Sequence, residues 1–261
     1  MFLRIDDIGA SSKKFEYYGK NSVKVFGKFL PLPELLTNFL FFKKFPLWSG
    51  WAKYKELSSE DWIRIINFLS QNNVILNVAL TACWVNEKGT FIKFIEKFPY
   101  QTEIIRDGIN KKLIYILNHG LTHCIPGRHL PMRFKSNQKY HREFTKYLGY
   151  DDQLKHLHDS QNIIFEIFGF YPKILVPPGN QYNLDTLKAM NKLNMQYIQC
   201  DRNKSHQPSD NDLKEFNIKH IDNSNVIVLH DKDIVTKGLN YFNSIDNFSK
   251  TKFHSMRKLL N

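Results

Sequence analysis

Short apolar segments alternate with amphipathic segments along the whole chain. Residues 2–5 and 74–80 have the length and composition of buried β-strands. Between them, Ser58 and Asp61 form a capping box in front of apolar residues at helical spacing, which predicts a helix. Repeated units of strand, loop and helix predict an α/β fold with a largely parallel sheet or barrel.

The same pattern extends to the rest of the chain. Further strands are predicted over residues 113–117, 173–176, 196–200 and 226–229, and further helices over residues 91–98, 103–109, 151–168 and 184–193. A loop-like segment follows the strand at 113–117 and continues to about Gly149. At 261 residues one core can serve the whole chain, and we expect a single domain over 1–261.

An aromatic and basic insertion interrupts this pattern at about residues 28–55. Within it, six aromatic residues from Phe39 to Trp51 interleave with Lys43 and Lys44. Such a mixture suits a membrane interface or a lipid-phosphate substrate. Pro46 and Gly50 interrupt the segment, which is equally typical of a loop that packs its rings into the core. Both interpretations remain open at this point.

Composition limits the class of protein and its surroundings. With 42% hydrophobic and 14% aromatic residues, the chain is not of the disordered class. Its three cysteines are far apart, so neither a disulfide framework nor a zinc ribbon is expected, and a reducing compartment is indicated. Asp6 and Asp7 fall where a secretory signal needs an apolar run. We therefore expect a cytoplasmic protein, with peripheral contact at the inner membrane as the alternative.

The net charge of +12 favours an anionic partner. The basic residues are spread along the chain without a run of five, and no zinc-finger or RNA-binding signature is present. Nucleic acid is therefore not the expected partner. The charge also allows an anionic saccharide, either a sugar nucleotide or a lipid-linked sugar, and by itself it does not choose between them. The oligomeric state is left open.

Polar residues with chemical potential follow the predicted strands. They are Asp6, Asp7, His119, Asn180, Asp201 and His230. In a barrel, the carboxyl ends of the strands meet on one face. Two adjacent carboxylates after an apolar strand repel each other unless a cation or a proton is nearby. His119 and His123 together with one carboxylate would give the three-ligand set of a catalytic zinc or similar metal, and the second carboxylate would be free to act as a general base.

Four short motifs in this order resemble those of the polysaccharide deacetylases, also called carbohydrate esterase family 4 or the NodB-homology group. The motifs are Ile5-Asp6-Asp7-Ile8-Gly9, Leu117-Asn118-His119-Gly120-Leu121-Thr122-His123, Leu175-Val176-Pro177-Pro178-Gly179-Asn180 and Val228-Leu229-His230-Asp231. The resemblance is closer to divergent deacetylase-like proteins of lipopolysaccharide O-antigen synthesis than to secreted deacetylases. It implies an irregular (β/α)7-type barrel, and a metal-dependent hydrolase that removes an N-acyl group, usually N-acetyl, from an amino sugar during surface-polysaccharide synthesis.

The resemblance also implies a role for individual residues. Asp6 matches the catalytic base and His230 the general acid on the leaving amine, with Asp201 as the aspartate that orients it. Asp7, His119 and His123 match the ligands of a divalent metal, for which Zn is favoured and Co, Ni, Mn or Fe fit the same donors. We expect the substrate-binding residues to include Asn180, Pro178 and His129.

Two departures from the family pattern affect these expectations. The family arginine that holds the catalytic base is replaced by Val176, and no aromatic residue follows Pro178. Asp6 must then be oriented by another group, with Arg4 and Asn180 as candidates, or its role is lost. The alternative function is therefore a catalytically inactive saccharide-binding relative of the deacetylases.

Overall fold

A seven-stranded parallel sheet organises the chain. The structure is a computed structural model that describes residues 1–15, 17–19, 22–25, 27–31, 49–51, 56–130, 137–202, 207–243, 248 and 251–260. Its strands are β1 (Phe2–Ile8), β2 (Tyr17–Gly19), β3 (Ser22–Val25), β4 (Lys28–Pro31), β5 (Ser49–Trp51), β6 (Leu76–Leu80), β7 (Cys83–Val85), β8 (Phe91–Lys93), β9 (Ile114–Asn118), β10 (Ile174–Leu175), β11 (Tyr197–Gln199), β12 (Lys219–Ile221) and β13 (Val226–His230).

Helices connect and cover these strands. They are α1 (Ser59–Asn72), α2 (Phe94–Lys97), α3 (Pro99–Asn110), α4 (Tyr150–Phe168), α5 (Leu184–Lys192), α6 (Asp210–Glu215), α7 (Asp231–Lys237) and α8 (Asn240–Asn243). Short 3₁₀ turns occupy Ser11–Phe15, Gln138–Tyr140, Pro178–Asn180, Asn223–Asn225 and Met256–Leu260. Within the described ranges, none of the helices is long and apolar enough to cross a bilayer.

The order of strands across the sheet is β12-β11-β10-β9-β6-β1-β13, and all neighbours are parallel. This confirms the predicted α/β class. Strand β1 lies between β6 and β13, and Asp6 of β1 is in register with His230 of β13. The motifs that contain Asp6 and His230, which are far apart in the sequence, are therefore neighbours at the carboxyl end of the sheet. Among the described strands, β12 and β13 form the two edges of the sheet.

The two faces of β1 contact different surroundings because successive side chains of a strand point to opposite sides. Leu3 and Ile5 are fully buried and pack in the largest apolar cluster with Trp62 of α1. Arg4 and Asp6 alternate with them and are buried as well. Helix α1 thus covers the apolar face, while the other face carries the charged pair toward the site.

The predicted elements agree with the structure in most places, and one helix prediction is wrong. Ser58 caps α1 as expected, since its Oγ accepts from the Asp61 amide at 3.1 Å. Residues 91–98, predicted as one helix, begin instead with β8, which pairs with β7 in a hairpin. Only α2 at the end of this segment is helical, because Phe91–Lys93 takes part in strand pairing.

Other elements were not predicted, and part of the insertion lies outside the described residues. The short β12, α6 and α7 contain few apolar residues and give little periodicity in the sequence. Of the insertion at about 28–55, the structure describes only β4 and β5, which form two-stranded ladders with β3 and β2. Lys43 and Lys44, which suggested membrane contact, lie outside the described residues.

Candidate metal centre and active site

A cavity of about 310 Å³ opens at the carboxyl ends of β1, β9 and β13. We call it the central cavity. It is lined by Asp6, Asp7, His119, His123, Gln138, His141, Arg142, Pro177, Gly179, Asn180 and His230. The structure therefore brings six of the nine predicted site residues to one place. The other five lining residues, Gln138, His141, Arg142, Pro177 and Gly179, were not predicted as site residues.

Asp7, His119 and His123 form a compact group of possible metal ligands. Asp7 Oδ1 lies 3.1 Å from His119 Nε2 and 3.1 Å from His123 Nε2. One donor atom from each of the three residues lies within 4.8 Å of the other two. One carboxylate and two imidazoles are a donor set that suits Zn and neighbouring divalent metals, so the residues present fit the predicted ion.

A bulge in β1 explains how two consecutive aspartates can line the same cavity. The β1–β6 ladder shifts register between Ile5 and Ile8, and Asp7 there has a positive φ of 68°. In a regular strand, Asp6 and Asp7 would point to opposite faces. The bulge redirects Asp7 while Asp6 keeps its register with His230.

The outer nitrogens of the two histidines are engaged by other groups. His119 Nδ1 donates to the Val176 carbonyl at 2.6 Å, and His123 Nδ1 shares a 2.7 Å hydrogen bond with Ser12 Oγ. Such contacts fix the ring orientation of metal-binding histidines. They leave both Nε2 atoms directed toward Asp7. Val176, which replaces the expected arginine, thus serves the site through its backbone.

A buried glutamate holds the 119–123 loop that carries both histidines. The Glu143 carboxylate accepts backbone N–H groups of Leu121, Thr122 and His123 at 3.0, 3.1 and 2.8 Å. It also accepts from His156 Nδ1 of α4 at 2.7 Å. Three amides and an imidazole stabilise the buried charge, and the loop is ordered around it.

Two further features support the placement of Glu143. Gly120 has a φ of +85°, and a Cβ at this residue would lie only 2.2 Å from Glu143 Oε2. A side chain at position 120 would therefore displace the carboxylate. Burial lowers the pKa of His156, but its contact with Glu143 outweighs this and the net shift is upward. His156 thus has a structural role as the partner of Glu143.

Burial and nearby charges shift the pKa values of Asp7 and His123. Burial alone would raise the pKa of Asp7, but Lys13 and the contacts with both histidines hold it well below its ordinary value. Burial lowers the pKa of His123. Lys13 Nζ donates to the Asp7 carbonyl at 2.7 Å and to Asp231 Oδ2 at 2.5 Å. It therefore joins the bulge to the start of α7.

Arg4 is the residue that holds Asp6. Its Nη2 donates to Asp6 Oδ2 at 2.6 Å, and the two side chains are only 2% and 10% exposed. Of the two candidates named from the sequence, the structure thus selects Arg4. Asn180 Oδ1 instead accepts from the Asp201 amide at 3.4 Å. Among the residues that the structure describes, Asp6 Oδ1 has no hydrogen-bond partner.

His230 stands beside Asp6 but is paired with an aspartate other than the predicted one. Its side chain is 41% exposed, and its Nδ1 lies 3.8 Å from Asp233 Oδ2, which also accepts the His230 amide at 3.2 Å. The expected orienting partner, Asp201, is replaced by Asp233. The reason is that His230 is the N-cap of α7, so the residue three positions later turns back toward it.

Two of the predicted substrate-binding residues lie elsewhere. Pro178 is buried, while its neighbours Pro177 and Gly179 line the cavity. His129 is also buried, and its Nε2 donates to the Asn86 carbonyl at 3.1 Å, which makes it part of the loop structure. Of the three predictions only Asn180 is at the cavity, and it has a positive φ of 55°.

The sequence contained a signal for the most important residue that was missed. Glu143 is the only acidic residue between Asp107 and Asp151, a stretch that holds eight lysines and arginines. A single acid in such a segment is a candidate for an internal partner of backbone or basic groups. Ser12 and Lys13 gave no comparable signal.

No protein-family profile and no curated protein matches the chain. A CE4 family pseudoenzyme from Bacillus anthracis is similar at 13% identity and a TM-score of 0.48, over 78% of this chain and 62% of that chain. A family 4 acetyl xylan esterase from Clostridium thermocellum, in complex with a cobalt ion, is similar at 14% identity and a TM-score of 0.47, over 79% and 86%.

A family 4 carbohydrate esterase from Streptomyces lividans, in complex with acetate, is similar at 14% identity and a TM-score of 0.43, over 76% of this chain and 82% of that chain. The matched part of this chain spans 62% of the length of the Bacillus anthracis pseudoenzyme, which is less than two thirds. Similarities at this level support no inference about activity, so the candidate function depends on the site itself.

Proposed function

We propose that this protein is a metal-dependent hydrolase that removes an N-acyl group, N-acetyl in the first instance, from an amino sugar. The observation that carries the proposal is the central cavity, where the Asp7, His119 and His123 group lies between Asp6 and His230. A metal-ligand set flanked by a carboxylate and an imidazole supplies the groups that amide hydrolysis requires.

Asp7, His119 and His123 would hold the divalent ion, with Zn favoured and Co, Ni, Mn or Fe as alternatives. Such an ion, when bound, lowers the pKa of a water and polarises a carbonyl oxygen. The protein keeps the three ligands ready through Val176, Ser12 and Glu143, which fix the two imidazoles and their loop.

Asp6 would take the proton of the attacking water. Arg4 engages Oδ2, so Oδ1, which accepts no hydrogen bond from the described part of the chain, is the atom available for that proton. As the water oxygen bonds to the acyl carbon, the carboxylate becomes a carboxylic acid. Arg4 does not touch the substrate in this scheme and is a positioning residue.

His230 would protonate the leaving nitrogen as its bond to the acyl carbon breaks. The register of β1 and β13 places His230 directly beside Asp6, and its exposed ring faces the same cavity. The products are a carboxylic acid and an amine. Without a proton donor the nitrogen would leave as an amide anion, which is too basic to be expelled at neutral pH.

The role of Arg4 can be tested separately from that of the metal ligands. We expect Arg4→Met to lower kcat by about 10- to 100-fold, because Asp6 then loses the contact that orients its carboxylate. Arg4→Lys, which keeps a donor at this position, should restore part of the rate. A rate in Arg4→Lys as low as in Arg4→Met would contradict a role through Asp6.

The sequence resemblance and the net charge support a more specific proposal for the substrate and the location of the protein. We propose that the substrate belongs to surface-polysaccharide synthesis of the lipopolysaccharide O-antigen type. It would be a sugar nucleotide or a lipid-linked sugar, in keeping with the net charge of +12. A cytoplasmic location, with peripheral contact at the inner membrane, is part of the same proposal. Sedimentation with anionic liposomes, wild type against Lys43→Gln/Lys44→Gln, tests the membrane contact.

The main test combines metal content with amine release. Purified wild-type protein should contain about one divalent ion per chain and release amine from N-acetylated sugar nucleotides. Metal without turnover over a panel of acylated sugars would favour the alternative, an inactive saccharide-binding protein. Absence of metal under all loading conditions would rule out the proposed mechanism.

A further inference from the structure

A second cavity, of about 380 Å³, adjoins the central one. We call it the lysine cavity. It is lined by Lys139, Phe144, Thr145, Lys146, Tyr147, Gln181, Tyr182, Asn183 and Gln207. None of these residues belongs to the catalytic scheme, and the cavity has no role in the function proposed above.

Residues that are neighbours in the chain line the two cavities. Asn180 lines the central cavity and Gln181, the next residue, lines the lysine cavity. Gln207 Nε2 donates to the Asn180 carbonyl at 2.6 Å. The Arg142 side chain packs on Gly179, where an added Cβ would lie 2.9 Å from Arg142 Cγ. A ligand with two linked parts could therefore occupy both cavities across Arg142.

Positive charge around these residues is not neutralised by nearby acids. Within the part of the chain that the structure describes, Lys139, Arg142 and Lys146 make no ion pair. The carboxylate of Glu143, which lies between them in sequence, is buried and bound to amides and His156. No carboxylate is among the described residues that line the lysine cavity. The local field therefore attracts an anion.

The remaining walls offer neutral donors and an aromatic face. Lys139 Nζ lies 4.9 Å from the centre of the Tyr140 ring and 5.6 Å from that of Tyr147. Tyr182 is 3% exposed, and burial raises its pKa to about 12, so its hydroxyl stays protonated and able to donate. The amides of Gln181 and Asn183 complete the polar lining. Lysines, a phenol and amides together suit phosphate oxygens.

We propose that the lysine cavity binds the phosphate or diphosphate group of a substrate whose N-acylated sugar lies in the central cavity. This inference deepens the proposed function and rests on it for the identity of the sugar. The phosphate could belong to a nucleotide or to a lipid carrier, which present the same group. It predicts that a phosphorylated acyl sugar is preferred to the neutral one.

Direct binding tests the inference without hydrolysis. Titration calorimetry with inorganic pyrophosphate and with uridine diphosphate should show binding to the wild-type protein that weakens about tenfold in Lys139→Gln/Lys146→Gln. The control Lys111→Gln/Lys188→Gln removes the same number of positive charges from exposed sites elsewhere on the protein, and it should change the affinity by less than about twofold. Equal affinity for all three proteins would overturn the inference.

The metal centre is a competing site for these anions. In Asp7→Asn, pyrophosphate affinity should remain within about threefold of wild type if the lysine cavity is the site. If Asp7→Asn lost pyrophosphate binding while Lys139→Gln/Lys146→Gln kept the wild-type affinity, the anion would be assigned to the metal centre and the inference would be overturned.

Kinetics separate this inference from the proposed function. The lysine double variant should raise KM for an N-acetylated sugar nucleotide about tenfold and leave kcat/KM for the neutral N-acetyl sugar unchanged. Hydrolysis with equal kcat/KM for both substrates would overturn the inference and leave the function intact. Lysine-dependent binding of pyrophosphate in a protein that hydrolyses nothing would support the cavity and contradict the function. A prenyl-diphosphate sugar, compared with the sugar nucleotide, identifies the source of the phosphate, and preference for either supports the inference.

Discussion

The two sides of the central cavity are built differently. On the metal side, His119 and His123 are 2% and 9% exposed in their side chains, and hydrogen bonds to Val176 and Ser12 fix both rings. On the acid side, His230 is 41% exposed, and its carboxylate neighbour Asp233 comes from the same short helix. One side is held by contacts from distant parts of the chain, and the other by local ones.

This difference matches the tasks that we propose for the two sides. Metal ligands need a fixed geometry before the ion arrives, which buried contacts provide. A group that delivers a proton to a leaving amine must reach solvent to be protonated again. Metal affinity should therefore fall when residues far from the ion are changed. On the acid side, only loss of the imidazole should lower the rate strongly.

The largest effect is expected from Asp7→Asn. Asparagine tolerates the positive φ of 68° at this position, so the backbone is preserved while the charged ligand is removed. We expect metal content to fall below about a tenth of an ion per chain and hydrolysis to fall by about 10³-fold or more. Metal analysis and amine release measure both, with Asp107→Asn on the surface of α3 as the control. Full metal content in Asp7→Asn would remove this residue from the ligand set.

His230→Gln should separate the two sides. We expect about a 10²- to 10³-fold loss of kcat with unchanged metal content, because only the proton donor is removed. Asp233→Asn should cost less, about two- to tenfold, since Asp233 acts through His230. If His230→Gln also lost its metal, the division into two independent sides would be wrong.

Glu143→Gln tests whether the metal side depends on a residue outside the cavity. The amide retains one acceptor oxygen for the three backbone N–H groups and cannot form the ion pair with His156. We expect the free energy of unfolding to fall by about 2–3 kcal/mol and metal affinity to fall by about 10- to 100-fold. Denaturant unfolding and metal titration measure these. Glu166→Gln, on the surface of α4, should change either by little. Wild-type metal affinity in Glu143→Gln would contradict the dependence.

The smallest effect concerns pH. The pKa of His156 is raised in the folded protein, so its contact with Glu143 adds stability that is fully present below the unfolded value of about 6.5. This contribution is lost as pH rises through the raised folded value. The difference in unfolding free energy between wild type and His156→Gln should therefore shrink from pH 5.5 to pH 9, by about 1 kcal/mol or less. A constant difference would mean that the imidazole stays neutral throughout.

Sequence reasoning succeeded where the pattern of a parallel sheet decides the position. Asp6, His119 and His230 were predicted at strand ends, and a parallel α/β sheet brings those ends together whatever the details of the loops. The common cavity follows from this rule. The chemical roles of these residues remain proposals.

Reasoning from the sequence failed where a position depends on irregular backbone or on long-range contacts. A bulge places Asp7 beside Asp6, and no local pattern announces its register shift. Asp201 was assigned to His230 because it follows a strand, but the turn into α7 supplies Asp233 instead. His129 was expected at the substrate because it lies in the loop that follows the histidine motif. In the structure it is buried and bonded to the carbonyl of Asn86, which is far away in the sequence.

The contact between Arg4 and Asp6 has a mechanical consequence. The two residues are two apart on one strand, so about 6.6 Å of extended backbone sets the spacing of their Cα atoms. An arginine on a different strand could drift from its carboxylate whenever the strands shear or a loop opens. Here any such movement carries both partners together. The contact between Arg4 and the proposed base is therefore kept when the strands of the sheet move relative to one another. It can form as soon as the single seven-residue strand that carries both residues is extended.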